Sequence, residues 1–277
     1  MENQYKIALL IDAENVSNKY IKLIMDEVSE YGTVTYKRVF GDFSAPSVMS
    51  WKENLMEYAM TPVFQFNYTR GKNASDSAMV IDAMDILYSG KVNGFCLVTS
   101  DSDFTKLAIR LREAGMFVVG MGERKSPNSL ISACDTFKFL DILFKVDGGM
   151  EKEGTSEKKE INSNVGKNTG EDIPKETVSE PPADAVLVNP LCENNVPDME
   201  SIRRKIKSII DARSDESGWM NLSLLGNVLL KRVPGFDHRN YGYKKLRDFI
   251  EGFDCFEIHE TENLKNNILK VIFIKNK

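Results

Sequence analysis

A chain of 277 residues, 42% apolar and 28% charged, has room for two modest domains and a joining segment, and this composition excludes a fibrous or wholly disordered protein. Its net charge of −5 is unevenly placed: residues 1–145 carry −2, residues 146–198 carry −7 and residues 199–277 carry +4. A polyanionic partner is therefore sought first at the C-terminal end.

Lys6-Ile-Ala-Leu-Leu-Ile-Asp12 is a continuous apolar run closed by an aspartate, the pattern of a strand covered on both faces. Ser17 or Asn18 can cap a helix with Ile21, Ile24, Met25 and Val28 at helical spacing, ended by Gly32. A second strand is expected over 34–40, a loop over 41–44 and a single helix over about 47–58. Residues 63–68 read as the third strand and 69–75 as a polar, basic loop. The next helix has Met79, Val80, Ala83, Ile86 and Leu87 as its apolar stripe and also carries Asp76, Asp82 and Asp85. A fourth strand (95–98), a helix (104–114) and a fifth strand (116–121) follow. A Gly-Glu-Arg-Lys-Ser-Pro loop, a short helix (129–133) and one last apolar segment (137–144) complete the pattern. This alternation predicts a three-layer, Rossmann-like α/β domain with a mainly parallel sheet over residues 1–146.

The periodicity stops at residue 147. Residues 147–198 are acidic, rich in Glu, Lys, Asn, Pro and Ser and almost without aromatics, so a disordered linker is expected there. Order resumes with a helical stripe of Ile202, Ile206, Ile209 and Ile210. Trp219-Met220 reads as a short buried connection, and Leu222, Leu225, Val228 and Leu229 mark a second helix. A third helix has Leu246, Phe249 and Ile250 facing inward, and 253–259 with 268–274 form a hairpin. Three helices and a hairpin are the plan of a small winged helix-turn-helix domain over 199–277.

The four cysteines, Cys96, Cys134, Cys192 and Cys255, have no Cys-x-x-Cys spacing, which argues against a zinc cluster or a disulfide framework. The sequence shows neither a signal-peptide pattern nor an apolar run of membrane-spanning length. A cytoplasmic, reducing setting with no membrane partner is expected.

The chemistry is carried by aspartates. Asp12 and Asp101 each follow the carboxyl end of an apolar strand, and if the first and fourth strands are neighbours both open into one crevice. Asp76 lies at the start of a helix that can approach those tips, and Asp103 is two residues past Asp101. Thr99-Ser-Asp-Ser-Asp-Phe104 also reads as an ordinary helix N-cap. Carboxylates that converge without partners raise one another's pKa, and a divalent cation relieves the repulsion. An all-oxygen set points to Mg²⁺ or Mn²⁺ rather than zinc. No histidine precedes His238, which excludes an imidazole base in the first domain. Metal-assisted catalysis with Asp12, Asp76, Asp101 and Asp103 is the chemistry left. Asn15, Ser100, Arg70, Lys72 and Lys125 are candidates for holding a substrate, with Arg124 beside them; plain surface charge is the alternative for each cation. Asp82, six residues from Asp76, points to another face of the helix and reads as structural.

These residues resemble the NYN family, also called LabA-like, of the PIN-type nuclease superfamily. The resemblance rests on Ile11-Asp12-x-x-Asn15, Lys72-x-x-x-Asp76 with Asp82, and Thr99-Ser-Asp-Ser-Asp-Phe104. It continues through Gly120-Met-Gly-Glu, Ser126-Pro-x-x-Leu130 and Ala133-Cys-Asp-x-Phe137. It implies a metal-dependent ribonuclease-like fold with adjacent first and fourth strands and an acidic site of Asp12, Asp76, Asp101 and Asp103. The C-terminal piece is similar to the OST-HTH, or LOTUS, winged-helix domain in its 202–210 helix, Gly218-Trp219, Leu222 to Leu229 and Tyr241-Gly-Tyr-Lys-Lys-Leu246. That likeness implies binding of single-stranded or structured RNA, or docking to a protein partner. Lys231, Arg232, Arg239, Lys244 and Lys245 cluster at the second and third helices. Tyr241 is interleaved with them for base stacking, with core packing as its alternative reading. The expected function is a metal-dependent RNA endonuclease with an RNA-binding C-terminal module. The alternative is a catalytically silent scaffold in an RNA-binding regulatory protein. Asp12-Ala-Glu14 lacks the Asp-x-Asp of a haloacid-dehalogenase site and the first-strand Glu of a topoisomerase-primase site. No lone Asp after the third strand supplies a phosphoacceptor.

Overall fold

In a computed structural model, which describes residues 5–64, 74–146, 196–262 and 270–277, the first apolar run forms the strand β1 (Tyr5–Asp12). Arg70, Lys72 and residues 147–195 of the expected linker lie outside the described residues. A 3-10 turn (Asn18–Tyr20) leads into α1 (Ile21–Ser29), then β2 (Gly32–Gly41), α2 (Pro46–Met49), α3 (Lys52–Glu57) and β3 (Thr61–Phe64). After the loop come α4 (Ala74–Ser89), β4 (Gly94–Val98), a 3-10 turn (Ser102–Phe104), α5 (Thr105–Glu113) and β5 (Phe117–Gly122). The first part ends with α6 (Asn128–Ala133), β6 (Thr136–Phe139) and α7 (Leu140–Val146).

The six strands form one parallel sheet in the order β3-β2-β1-β4-β5-β6. β1 and β4 are hydrogen-bonded neighbours, with Ile11 beside Val98, so the chain reverses direction across the sheet between them. Side chains alternate between the two faces of a strand. Ile7, Leu9 and Ile11 pack with Ile21, Ile24 and Val28 of α1 and Leu140 and Leu143 of α7. Ala8 and Leu10 pack on the other face with Met79, Ala83 and Ile86 of α4 and Leu107, Ala108 and Leu111 of α5. Residues 7–12 of β1 are accordingly buried throughout, which is why the run is apolar without alternation.

The third strand starts at Thr61 rather than at residue 63, and residues 65–68, expected in it, lie outside the described residues. Two further elements differ from the sequence expectation in kind. The single helix over 47–58 is two short helices broken at Ser50-Trp51, where Trp51, 1% exposed, enters the α1-side core. The apolar segment 137–144 is a strand followed directly by a helix. Phe139 ends β6 and Leu140 starts α7 with no turn residue between them.

The C-terminal part contains α8 (Met199–Arg213), β7 (Met220–Asn221), α9 (Leu222–Arg232), a 3-10 turn (His238–Tyr241), α10 (Leu246–Glu251), β8 (Phe256–Glu262) and β9 (Lys270–Asn276). The strands form an antiparallel sheet ordered β7-β9-β8. Ile202, Ile206, Ile209, Ile210, Leu225, Leu229, Phe249 and Ile250 form its core. Asp198 caps α8 by accepting from the Ser201 N–H at 2.8 Å, and Asn221 caps α9 by accepting from the Ser223 N–H at 2.8 Å. This is the expected winged-helix plan. All described residues belong to one compact unit, and among them no helix is long and apolar enough to cross a membrane.

Candidate metal centre at the strand tips

Asp12 closes β1 and is 2% exposed. A buried carboxylate needs hydrogen-bond donors, and four supply them. The Glu14 and Asn15 backbone N–H groups donate to Oδ1 at 3.1 and 3.2 Å. Asn15 Nδ2 and Thr99 Oγ1 donate to Oδ2 at 2.8 and 2.9 Å. Burial pushes the Asp12 carboxyl above its ordinary range, and these donors offset only part of that rise. The Thr99 side chain is fully buried at the end of β4, and its hydroxyl also accepts the Asp101 N–H at 3.1 Å. One hydroxyl thus links the carboxylate of β1 to the backbone that carries Asp101.

Asp101 then accepts the Asp103 N–H at 2.9 Å through Oδ1, capping the 3-10 turn that leads into α5. The cap and the acidic site share this residue, because one carboxylate oxygen is enough for the cap. Asp76 sits in the first turn of α4. One carboxylate oxygen each from Asp76, Asp101 and Asp103 lies within 4.8 Å of the other two. Desolvation first, then the charges of Asp12, Asp101, Glu14 and Asp103, push Asp76 up to about 6. Three carboxylate oxygens at this spacing, with one acid already reluctant to ionise, fit a hard divalent cation and offer no nitrogen or sulfur ligand.

Two residues outside the sequence-derived site set hold these tips together. Glu14 accepts the Asp42 N–H at 3.1 Å on Oε1 and the Ser75 hydroxyl at 3.0 Å on Oε2. It therefore ties the exit of β2 and the start of α4 to the tip of β1. Its position two residues past Asp12 was the available signal. Thr99, the last residue before Ser100-Asp101, is the second. Close approach of β5 also matters, since a Cβ on Gly122 would lie 2.5 Å from the Thr99 carbonyl oxygen and 2.5 Å from Ser126 Oγ.

Comparison with known proteins gives the two halves their families. The family model described as NYN domain matches residues 6–142, and the model described as OST-HTH/LOTUS domain matches residues 197–267. The chain pairs an NYN domain with an OST-HTH/LOTUS domain. NYN domains belong to the PIN-like nuclease superfamily. An uncharacterized protein of Methanocaldococcus jannaschii is 26% identical over 125 residues, 44% of this chain and 49% of that protein. The chain thus spans about half the length of that relative. A protein of unknown function from Vibrio parahaemolyticus, solved by crystallography, is 20% identical with a TM-score of 0.43, over 50% of this chain and 94% of its own.

The other expected site residues fall as follows. Asn15 serves Asp12. Ser100 Oγ accepts the Glu123 N–H at 2.9 Å and so tethers the loop after β5. Lys125 pairs with Glu123 at 3.0 Å with its side chain 66% exposed. Asp82 pairs with Arg38 at 3.1 Å, away from the acidic cluster. In the OST-HTH/LOTUS domain, Lys231, Arg232, Lys244 and Lys245 are exposed. Arg239 and Tyr241 depart from the expected RNA face. The Arg239 guanidinium is taken up by Glu27 and Asp237. Tyr241 packs on Phe249 at 5.1 Å between ring centroids, and its hydroxyl donates to the Pro197 carbonyl. A count of basic and aromatic residues along a sequence cannot register that these two are already engaged.

Proposed function

We propose that the NYN domain cleaves RNA phosphodiester bonds with Mg²⁺ or Mn²⁺ held by Asp76, Asp101 and Asp103. The convergence of these three carboxylate oxygens within 4.8 Å, from two separate elements at the sheet tips, carries this reading. A divalent cation bound there supplies Lewis-acid stabilisation of the charge that develops on a phosphodiester. Asp12, with its oxygens occupied by four donors, positions Asn15 and Thr99 and adds negative charge beneath the cluster. Thr99 and Glu14 keep the Asp101 backbone and the start of α4 at the tip of β1. Lys125 at the rim, and Lys231, Arg232, Lys244 and Lys245 of the OST-HTH/LOTUS domain, hold RNA phosphates.

A closed circular RNA tests the endonuclease reading, because it has no end for an exonuclease. The full-length protein is expected to linearise it in Mn²⁺ and to leave it intact in EDTA. Intact circles in both, beside digestion of linear RNA in Mn²⁺, would replace the endonuclease reading with an exonuclease. No turnover of either substrate would favour the scaffold alternative.

A further inference from the structure

The OST-HTH/LOTUS domain meets the NYN domain at β6, the outer strand of the parallel sheet, and at α1. Four charged side chains meet there, and each domain brings one acid and one base. On the NYN side, Lys138 Nζ stands 3.4 Å from Glu27. On the other side, Arg239 stands 2.8 Å from Asp237. Across the contact, Arg239 donates two hydrogen bonds to the Glu27 carboxylate at 2.6 and 2.9 Å. Lys138 Nζ donates to Asp237 Oδ2 at 2.7 Å. The four groups close a ring of alternating sign with no net charge.

Glu27, Lys138 and Asp237 are 3%, 6% and 4% exposed. Charged side chains are almost never buried this deeply unless paired, and each member of the ring has a partner in its own domain and another across the contact. Burial pushes the Asp237 carboxyl up, but hydrogen bonds from Arg239 and the charge of Lys138 outweigh it and hold the group well below the ordinary range. Arginine suits the exchange because its planar fork presents two donors to one carboxylate.

The backbone takes part as well. The Phe137 N–H on the free side of β6 donates to the Pro234 carbonyl at 2.6 Å. An outer strand left bare offers unpaired N–H and C=O groups to other chains, and covering it is one remedy. Pro234 has no N–H to return, so the contact is one hydrogen bond and not an added strand. The next residue, Gly235, lies against Ile131 and Phe139, its Cβ position 3.4 and 3.5 Å from their side chains. The 3-10 turn carrying Arg239 packs on α7.

We infer that the surface formed by β6 and α1 is a docking site for the OST-HTH/LOTUS domain of the same chain, closed by the Glu27–Arg239–Asp237–Lys138 ring, and that the two domains stay joined without the segment between them. The ring matches charge for charge, the bare strand edge is covered, and neither set of groups belongs to the acidic site. The docked domain keeps Lys231, Arg232, Lys244 and Lys245 exposed, while Arg239 is withdrawn from any RNA. One RNA molecule would then be held by both domains of a single body.

The test uses the full chain with a protease site inserted between residues 150 and 193, cut after folding and analysed by gel filtration and native mass spectrometry. The readout is association alone, so it stands apart from any RNA cleavage. The two pieces are expected to co-elute as one complex with the mass of a single chain. Arg239→Gln and Glu27→Gln should each weaken the complex by about 100-fold, and the double variant should weaken it by much less than the product of the two. The exposed Lys231→Gln should leave it unchanged. Separation of the unsubstituted pieces, each still folded by circular dichroism, would overturn the inference. So would an assembly of two chains exchanging their domains, or an Arg239→Gln complex as tight as the parent. If Arg239→Gln fails to fold, Arg239→Lys, which keeps the charge but loses the fork, should still weaken the complex measurably.

Discussion

Replacing Asp76 by Asn separates the cost of the acidic cluster from its use. The folded state pushes the Asp76 carboxyl from its ordinary value of 3.8 up to about 6, through desolvation first and then the charges of Asp12, Asp101, Glu14 and Asp103. At about 1.4 kcal/mol per tenfold change in proton affinity, that gap would correspond to about 3 kcal/mol for a fully buried group. Asp76 is only half-buried, and solvent screening reduces the figure to about 1 kcal/mol. A carboxylate in the first turn of a helix is favoured by the helix dipole by about 0.5 kcal/mol, which opposes the repulsion. The metal-free protein should therefore be stabilised by Asp76→Asn by about 0.5 kcal/mol above pH 7, or about 1–2 °C in melting temperature. The sign follows from linkage. A carboxyl whose folded pKa is raised favours the native state below its unfolded pKa, and the protein loses that stability as pH rises through about 6. The difference between variant and parent should thus be present at pH 8 and vanish near pH 4. Added Mn²⁺ should reverse the order, because a cation at 100 times its Kd stabilises the parent by about 2.7 kcal/mol and the variant by less. Differential scanning fluorimetry in EDTA and in Mn²⁺, at both pH values, reads all of this. An Asp76→Asn protein that melts below the parent in EDTA at pH 8, or gains as much from Mn²⁺, would refute the reasoning.

Thr99→Val removes the hydroxyl donor to Asp12 and the acceptor for the Asp101 N–H, and urea denaturation should show a loss of about 1–3 kcal/mol that Thr99→Ser largely restores. Gly122→Ala places a Cβ 2.5 Å from the Thr99 carbonyl oxygen and should lower the melting temperature by several degrees, measured by circular dichroism. Mutating Lys244 and Lys245 together to Gln should weaken RNA binding by fluorescence anisotropy and flatten its salt dependence, with no change in melting temperature.

The elements legible in the sequence are those whose burial is uniform. Residues 7–11 and 95–98 are apolar because both faces of β1 and β4 are covered, and each run ends where the chain leaves the sheet, which puts Asp12 and Asp101 at the tips. The neighbouring of the two strands came from resemblance, since periodicity carries no strand order. The junction of β6 and α7 was illegible for a local reason: Phe139 and Leu140 are both buried, and neither breaks the run. Glu27 and Lys138 were silent for a different reason. Glu27 stands three residues past Ile24 on the buried face of α1, and Lys138 lies within a wholly buried four-residue strand. Each alone looks like an exception to burial. Only the fold brings Asp237 and Arg239 to them, and the same contact removed Arg239 from the expected RNA face.

Paired cleavage rates on a labelled single-stranded RNA, for the parent and for Asp101→Asn in Mn²⁺, test the acidic cluster as a catalytic centre most directly. A catalytic cluster requires cleavage by the parent that EDTA abolishes, and a rate for Asp101→Asn lower by about 100-fold or more with an unchanged circular dichroism spectrum. Equal rates for the two proteins would contradict it.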